Sequence, residues 1–256
     1  MSAPKVVAII QARMAASRLP GKVLEPLGNL PVLGWMVVRA RRAELIDDVV
    51  VATTVDPSDD PVAEYCREHG VAFTRGSMQD VLDRYYQAAK HHQADVIVRL
   101  TADCPFIDPE MLDDNLREFL SADPKLDFAA NRLPPPYTRT TPIGLDAEYC
   151  WFDGLETVWR EAGQQHQREH VMPFFYEHPE RFNIRHLTIE PGYGHLRWTV
   201  DTPEDLALLR RIVAHFPGRD DFSWREVLAV VEAHPELGEI NADIRHKDYR
   251  ETDQRQ

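Results

Sequence analysis

Cysteine is scarce: Cys66, Cys104 and Cys150 are the only three in 256 residues. An odd number at wide spacing argues against a disulfide framework and suits reduced thiols. An excess of positive charge is also missing. Twenty-nine Lys and Arg face 42 Asp and Glu, a formal net charge of −13, which argues against non-specific binding to nucleic acid or to an anionic membrane surface. No apolar run approaches the roughly 18 residues of a membrane span, and the run at 6–10 lacks the features of a secretory signal. The expectation is a soluble, cytoplasmic protein with no nucleic-acid or membrane partner. Lysine is rare as well, five (Lys5, Lys22, Lys90, Lys125, Lys247) against 24 arginines. Genomic base composition explains that bias, but a lysine inside a motif stands out against it. Familiar glycine-rich nucleotide motifs are absent too. A P-loop needs glycine where Ala16 stands and Ser or Thr where Val23 stands, and no G-x-G-x-x-G follows the first strand-like run.

What is present is ordinary globular composition, 43% apolar and 28% charged, at a length that suits one large domain or two small ones. β-branched runs at 6–10, 49–53, 71–74 and 96–100 alternate with helical patterns at 31–43, 61–69, 78–92 and 109–120. Near-continuous apolar strands with crossover helices predict an α/β fold, a mostly parallel sheet with helices on both faces. Asp60-Pro61 and Asp108-Pro109 read as helix starts. The rhythm breaks after Phe128, where Asn131-Arg132-Leu133-Pro134-Pro135-Pro136-Tyr137 cannot be helical. Helices are expected next at 154–162 and 168–178, strands at 182–189 and 196–200, and helices at 203–215 and 223–234. The expectation is a single domain over 1–256, with a protruding arm at about 131–150 and a polar tail from about 241.

In open parallel sheets, ligands sit at the carboxyl ends of the strands. The segment leaving the first strand reads Gln11-Ala12-Arg13-Met14-Ala15-Ala16-Ser17-Arg18-Leu19-Pro20-Gly21-Lys22. Small residues and three cations suit a polyphosphate; a solvated basic loop is the plainer alternative. The stretch Ile9–Leu24 resembles the opening of the cytidylyltransferases related to spore-coat polysaccharide protein F, a group similar to the CMP-Kdo and CMP-sialic acid synthetases. Further segments match in order: Arg75-Gly76-Ser77 with Asp80-Val81-Leu82, Arg99-Leu100-Thr101-Ala102-Asp103-Cys104-Pro105, Gly144-Leu145-Asp146-x-Glu148, Arg168-Glu169-His170-Val171, and Trp198-Thr199-Val200-Asp201-Thr202-Pro203-Glu204-Asp205. Together they cover about residues 5 to 210.

The resemblance implies the nucleotide-diphospho-sugar transferase (Rossmann-like) fold and transfer of CMP from CTP to a small acidic, sugar or phosphorylated acceptor, with release of pyrophosphate. It implies catalytic roles for Arg13, Lys22 and Asp103. Nucleotide contacts would come from Gln11, Ala12, Arg13, Met14, Ser17, Arg18, Lys22, Arg75, Asp80, Thr101, Ala102 and Asp103. It implies Mg²⁺ held by Asp103 and Asp201, and an acceptor met by Asn131, Arg132, Tyr137, Asp146, Glu148 and His170, with Arg139 and Arg168 as further cations. It also implies a homodimer, the arm crossing a two-fold axis. Several residues stay open to plainer readings: Asp201 or Thr202 as a helix cap, Asp80 as a first-turn helix acid, Arg99 as a salt-bridged strand residue. His166-x-x-Glu169-His170 also matches the inverted zinc-peptidase motif, though no third ligand is evident downstream. A non-catalytic nucleotide-binding or assembly subunit, and the same chemistry with GTP or UTP, are the alternative functions.

Overall fold

Successive strand residues point to opposite faces, and here both faces are covered. The computed structural model describes residues 3–244; the polar tail expected from 241 therefore lies mostly outside the described residues. Strand β1 (Val6–Gln11) pairs in parallel with β4 (Asp48–Thr54) and β6 (Val96–Thr101), and β4 with β5 (Ala72–Gly76). Val6, Ala8, Ile10, Val49, Val51, Val96 and Val98 enter a core shared with α1 (Val32–Ala40), α2 (Asp60–Glu68) and α4 (Pro109–Ser121). Their neighbours Val7, Ile9, Val50, Ala52 and Ile97 enter a second core, against α3 (Val81–His91), α5 (Phe152–Glu161) and α7 (Pro173–Glu177). The alternation explains the near-continuous apolar runs: every position is an inside position. Asp108 caps α4 by accepting from Met111 N at 3.0 Å, as its sequence suggests. At Asp60 a short 3₁₀ turn, Pro57–Asp59, precedes the helix, and Asp56 caps that turn instead.

The other half of the sheet is reversed. β8 (Glu148–Trp151) runs antiparallel to β6, β7 (Phe128–Ala130) antiparallel to β8, and β9 (Ile184–His186) parallel to β7. The seven strands run β5-β4-β1-β6-β8-β7-β9, with a separate hairpin of β2 (Pro26–Leu27) and β3 (Leu30–Pro31). The strand expected at 196–200 is irregular, with an isolated bridge between Ile143 and Arg197 in place of a ladder. Trp198 and Val200 are buried there against α8 (Pro203–Val213) and α9 (Trp224–Ala233), so helix packing rather than a ladder accounts for the apolar run.

The helix expected at 168–178 breaks in two, α6 (Gln165–His170) and α7. Between them Val171 adopts φ +71, ψ −56, and Met172 N donates to His170 O at 2.9 Å. This is a tight, strained γ-turn at a β-branched residue, followed by a proline that opens the next helix. The arm does not protrude along most of its length. Asn131 is buried and bonds both Leu145 O (2.7 Å) and Ala147 N (3.0 Å), drawing the far end of the arm back onto the body. Gly144 takes φ +107, where a Cβ would lie 2.5 Å from the Trp198 carbonyl carbon; only glycine permits that approach. Residues 135–138 alone form an exposed tip. No helix among the described residues is long and apolar enough to cross a membrane.

Candidate active site

The loop after β1 is a closed structure. Ala12 N donates to Ala52 O at 3.2 Å and Met14 N to Asp59 Oδ1 at 2.6 Å. Gly21, at φ +77, donates its N–H back to Met14 O at 2.8 Å. The chain is thereby turned so that Lys22, opening the 3₁₀ turn Lys22–Leu24, returns to the carboxyl edge of the sheet. At that edge Ala102 N donates to Gln11 O at 3.0 Å, which fixes the end of β6 beside the end of β1. Asp103 follows directly. Its carbonyl accepts from Thr199 Oγ1 (2.9 Å) and Val200 N (2.8 Å), which draws the segment carrying Asp201 alongside.

These three segments converge on a single cluster. Lys22 Nζ lies 2.6 Å from Asp103 Oδ2 and 2.8 Å from Asp201 Oδ1. Asp201 Oδ2 accepts from Arg197 at 2.8 Å and faces Arg18 at 3.1 Å. Burial works against the Lys22 charge, but the two carboxylates outweigh it and hold its pKa up to about 12. Burial would likewise raise Asp201, and Lys22, Arg197 and Arg18 overcome it, keeping the carboxyl well below the usual range.

Asp201 is not the helix cap. Thr202 caps α8, accepting from Asp205 N, while the Asp205 carboxylate reaches back to Thr202 N at 3.1 Å. Asp205 also binds Arg197 Nε at 2.8 Å and Asn241 Nδ2 at 2.9 Å. Arg197 therefore joins the helix cap to Asp201. Sequence reasoning missed that support; the Thr202-x-x-Asp205 spacing was its one local signal.

Gln11, Arg13, Ser17, Arg18, Lys22, Thr101, Ala102, Asp103, Arg132, Asp146, His170 and Asp201 line one cleft, together with Arg99 and Glu169. At its far side Arg99 pairs with Glu148 and donates to Gln11 Oε1 at 3.0 Å. The His170 Nε2 atom is buried without a hydrogen-bond partner. Burial, with Arg99, Arg132, His166 and Arg13 nearby, pushes the His170 pKa down to about 4, so its imidazole is neutral. Asp146 is held by Arg139, with NH2 to Oδ2 at 3.2 Å.

Other expected site residues are engaged elsewhere. Arg75 donates to Thr54 O (2.6 Å) and Asp56 O (3.0 Å) and pairs with Asp60. Asp80 caps α3, accepting from Asp83 N at 2.9 Å, and binds Arg168 Nε at 3.1 Å; both side chains serve α3–α6 packing. Ala12 and Met14 shape the loop through their backbones. Asn131 is the buried staple of the arm, Tyr137 packs at the exposed tip on His186, and Glu148 is consumed by Arg99. His166 of the zinc-peptidase pattern turns to Glu177 at 2.7 Å, and no group of three or more metal-ligating His, Cys, Asp or Glu side chains occurs among the described residues. The three cysteines are free and buried.

The cytidylyltransferase family model matches residues 7–228. An uncharacterised protein of Methanocaldococcus jannaschii is 35% identical over 253 residues, 98% of this chain and 100% of its own length. The spore coat polysaccharide biosynthesis protein SpsF of Bacillus subtilis is 31% identical over 238 residues, 90% of this chain and 95% of its own. The solved structure of a cytidylyltransferase from Leptospira borgpetersenii matches at a TM-score of 0.86 and 34% identity, covering 92% of this chain and 97% of that one.

Proposed function

The chain belongs to the cytidylyltransferase family, and from that premise we propose that it transfers CMP from CTP to a small acidic, sugar or phosphorylated acceptor. In this reaction an acceptor oxygen attacks the α-phosphorus, the bond to the bridging oxygen breaks, pyrophosphate leaves and the acceptor gives up its proton. The observation that carries the reading is the meeting of Lys22 with Asp103 and Asp201 at the strand ends, on the loop that also supplies Arg13 and Arg18.

Phosphoryl-type transfer asks a protein mainly for alignment and charge neutralisation. The loop cations suit the β- and γ-phosphates. Asp103 and Asp201 are hard oxygen donors that meet on Lys22 Nζ; this convergence supports the reading that they would hold Mg²⁺. That ion, when bound, supplies charge compensation at the α-phosphate. Arg132 and the neutral imidazole of His170 suit an anionic acceptor across the cleft, beside the Arg139–Asp146 pair. Cytoplasmic location and a homodimer joined through the exposed tip at 135–138 belong to the same reading; sedimentation at micromolar concentration tests the dimer.

The deciding experiment supplies Mg²⁺ and each of the four NTPs with a panel of acidic sugars and phosphorylated acids. Pyrophosphate release and product mass are the readouts. CTP-dependent formation of one CMP-linked product is expected. Selective use of GTP or UTP would change the nucleotide and keep the chemistry, whereas release with no pairing would overturn the proposal.

A further inference from the structure

Lys22 Nζ holds Asp103 Oδ2 at 2.6 Å and Asp201 Oδ1 at 2.8 Å. These are one oxygen from each of the two carboxylates assigned above to a divalent cation, so the ammonium group and the metal contend for the same two atoms. The other oxygen of Asp201 is already committed to Arg197 at 2.8 Å and Arg18 at 3.1 Å. The backbone that carries each carboxylate is fixed. Asp103 is tied through its carbonyl to Thr199 and Val200, and Asp201 through its amide N–H to Asp205 at 3.0 Å. Lys22 differs from both, being a long flexible side chain at the head of a single 3₁₀ turn. Its side chain is only 12% exposed, clamped by its two partners. Without a cation between them, the two carboxylates would repel one another.

Resting on the proposed metal-dependent transfer, we propose that Lys22 occupies the divalent-cation site of the metal-free protein and leaves when the metal enters. While it stays, it keeps Asp103 and Asp201 within reach of one ion and lowers the apparent metal affinity, because the ion must displace it. A nucleotide polyphosphate offers the displaced ammonium a new anionic partner. Nucleotide and metal thereby strengthen each other's binding, and the coupling is reciprocal.

The test measures Mn²⁺ affinity of the nucleotide-free protein by electron paramagnetic resonance. Lys22→Met is expected to bind Mn²⁺ about tenfold tighter than wild type or more, Lys22→Arg to stay near wild type, and Lys22→Met/Asp103→Asn to lose the gain. A lysine that serves only to contact phosphate would leave nucleotide-free affinity unchanged. Equal Mn²⁺ binding by wild type and Lys22→Met, abolished by Asp103→Asn, would therefore overturn the exchange while leaving the metal reading intact. Absence of Mn²⁺ binding by both proteins, with and without CTP, would overturn exchange and metal reading together. A second measurement needs no substitution: acylation of wild-type lysines by acetic anhydride, read by mass spectrometry. Labelling of Lys22 should rise severalfold on adding Mg²⁺ while that of the exposed Lys125 stays constant; unchanged Lys22 labelling at saturating Mg²⁺ would refute the exchange.

Discussion

Arg99 on β6 and Glu148 on β8 face each other in antiparallel register, and their side chains close an ion pair buried on both sides. The pair lies where the parallel half of the sheet meets the reversed half, with Gln11 bonded to the same guanidinium. Burial opposes the Arg99 charge, and Glu148 more than offsets it, raising the pKa. Glu148→Gln would strand a buried guanidinium and should cost about 3–5 kcal/mol in urea unfolding. The double substitution Arg99→Met/Glu148→Met should cost less than Glu148→Gln alone. A single-variant loss below about 1 kcal/mol would show that the pair is better solvated than its burial implies.

Lys22→Ala should lower nucleotidyl transfer by about 10²–10³, the usual effect of removing one charge contact from a transition state. The core lies elsewhere, so circular dichroism should be unchanged. Turnover of the purified variant close to wild type would remove Lys22 from the machinery.

Asp103→Asn and Asp201→Asn should each abolish transfer, and together do little more than either alone, as residues of one unit do. Because Thr202 and Asp205 form the cap of α8, Asp201→Asn should leave that helix intact. Amide exchange along α8 and Mg²⁺ titrations of activity check both halves; a normal Mg²⁺ dependence in Asp201→Asn would leave Asp103 without its partner.

His170 should make the protein sensitive to mild acid. Its pKa is about 4 in the fold against 6.5 ordinarily, so below 6.5 the unfolded chain takes up a proton that the folded chain refuses. The stability involved is in place above pH 6.5 and is lost as pH falls toward 4, with a slope approaching about 1.4 kcal/mol per pH unit. Urea midpoints of wild type and His170→Gln, compared between about pH 7 and 5, should diverge, the variant falling less. Parallel profiles would contradict the assignment.

The parallel half of the fold was legible because strands buried on both faces need near-continuous apolar runs, and β1, β4 and β6 have them; β5, half-buried at the edge, showed as a shorter run. In the reversed half only β9, within the run expected at 182–189, was legible. β7 has three residues and β8 four, too short for periodicity to register, and both flank a proline-rich arm. At 196–200 an apolar run with one arginine looks like a strand, whereas Trp198 and Val200 are buried by α8 and α9 and Arg197 turns to Asp205. In the site, the resemblance led to Arg13, Arg18, Lys22, Asp103 and Asp201, and all five line the cleft. Their pairing had no local signal. Lys22 was expected against phosphate, and only the fold places it between the two aspartates. Asp80 and Arg75 lie outside that lining, where helix capping and strand-edge carbonyls hold their side chains.

Lys22 is 81 residues from Asp103 and 179 from Asp201 along the chain. Closing loops of that length is repaid only when the intervening elements are packed, so no local fragment and no partly collapsed chain presents the three together. The cluster therefore reports on completed folding: a folding intermediate holding only the parallel half would carry the loop and Asp103 yet offer a cation just one of its two carboxylates. In refolding experiments, recovery of divalent-ion binding should trail recovery of helix signal and coincide with the final cooperative step.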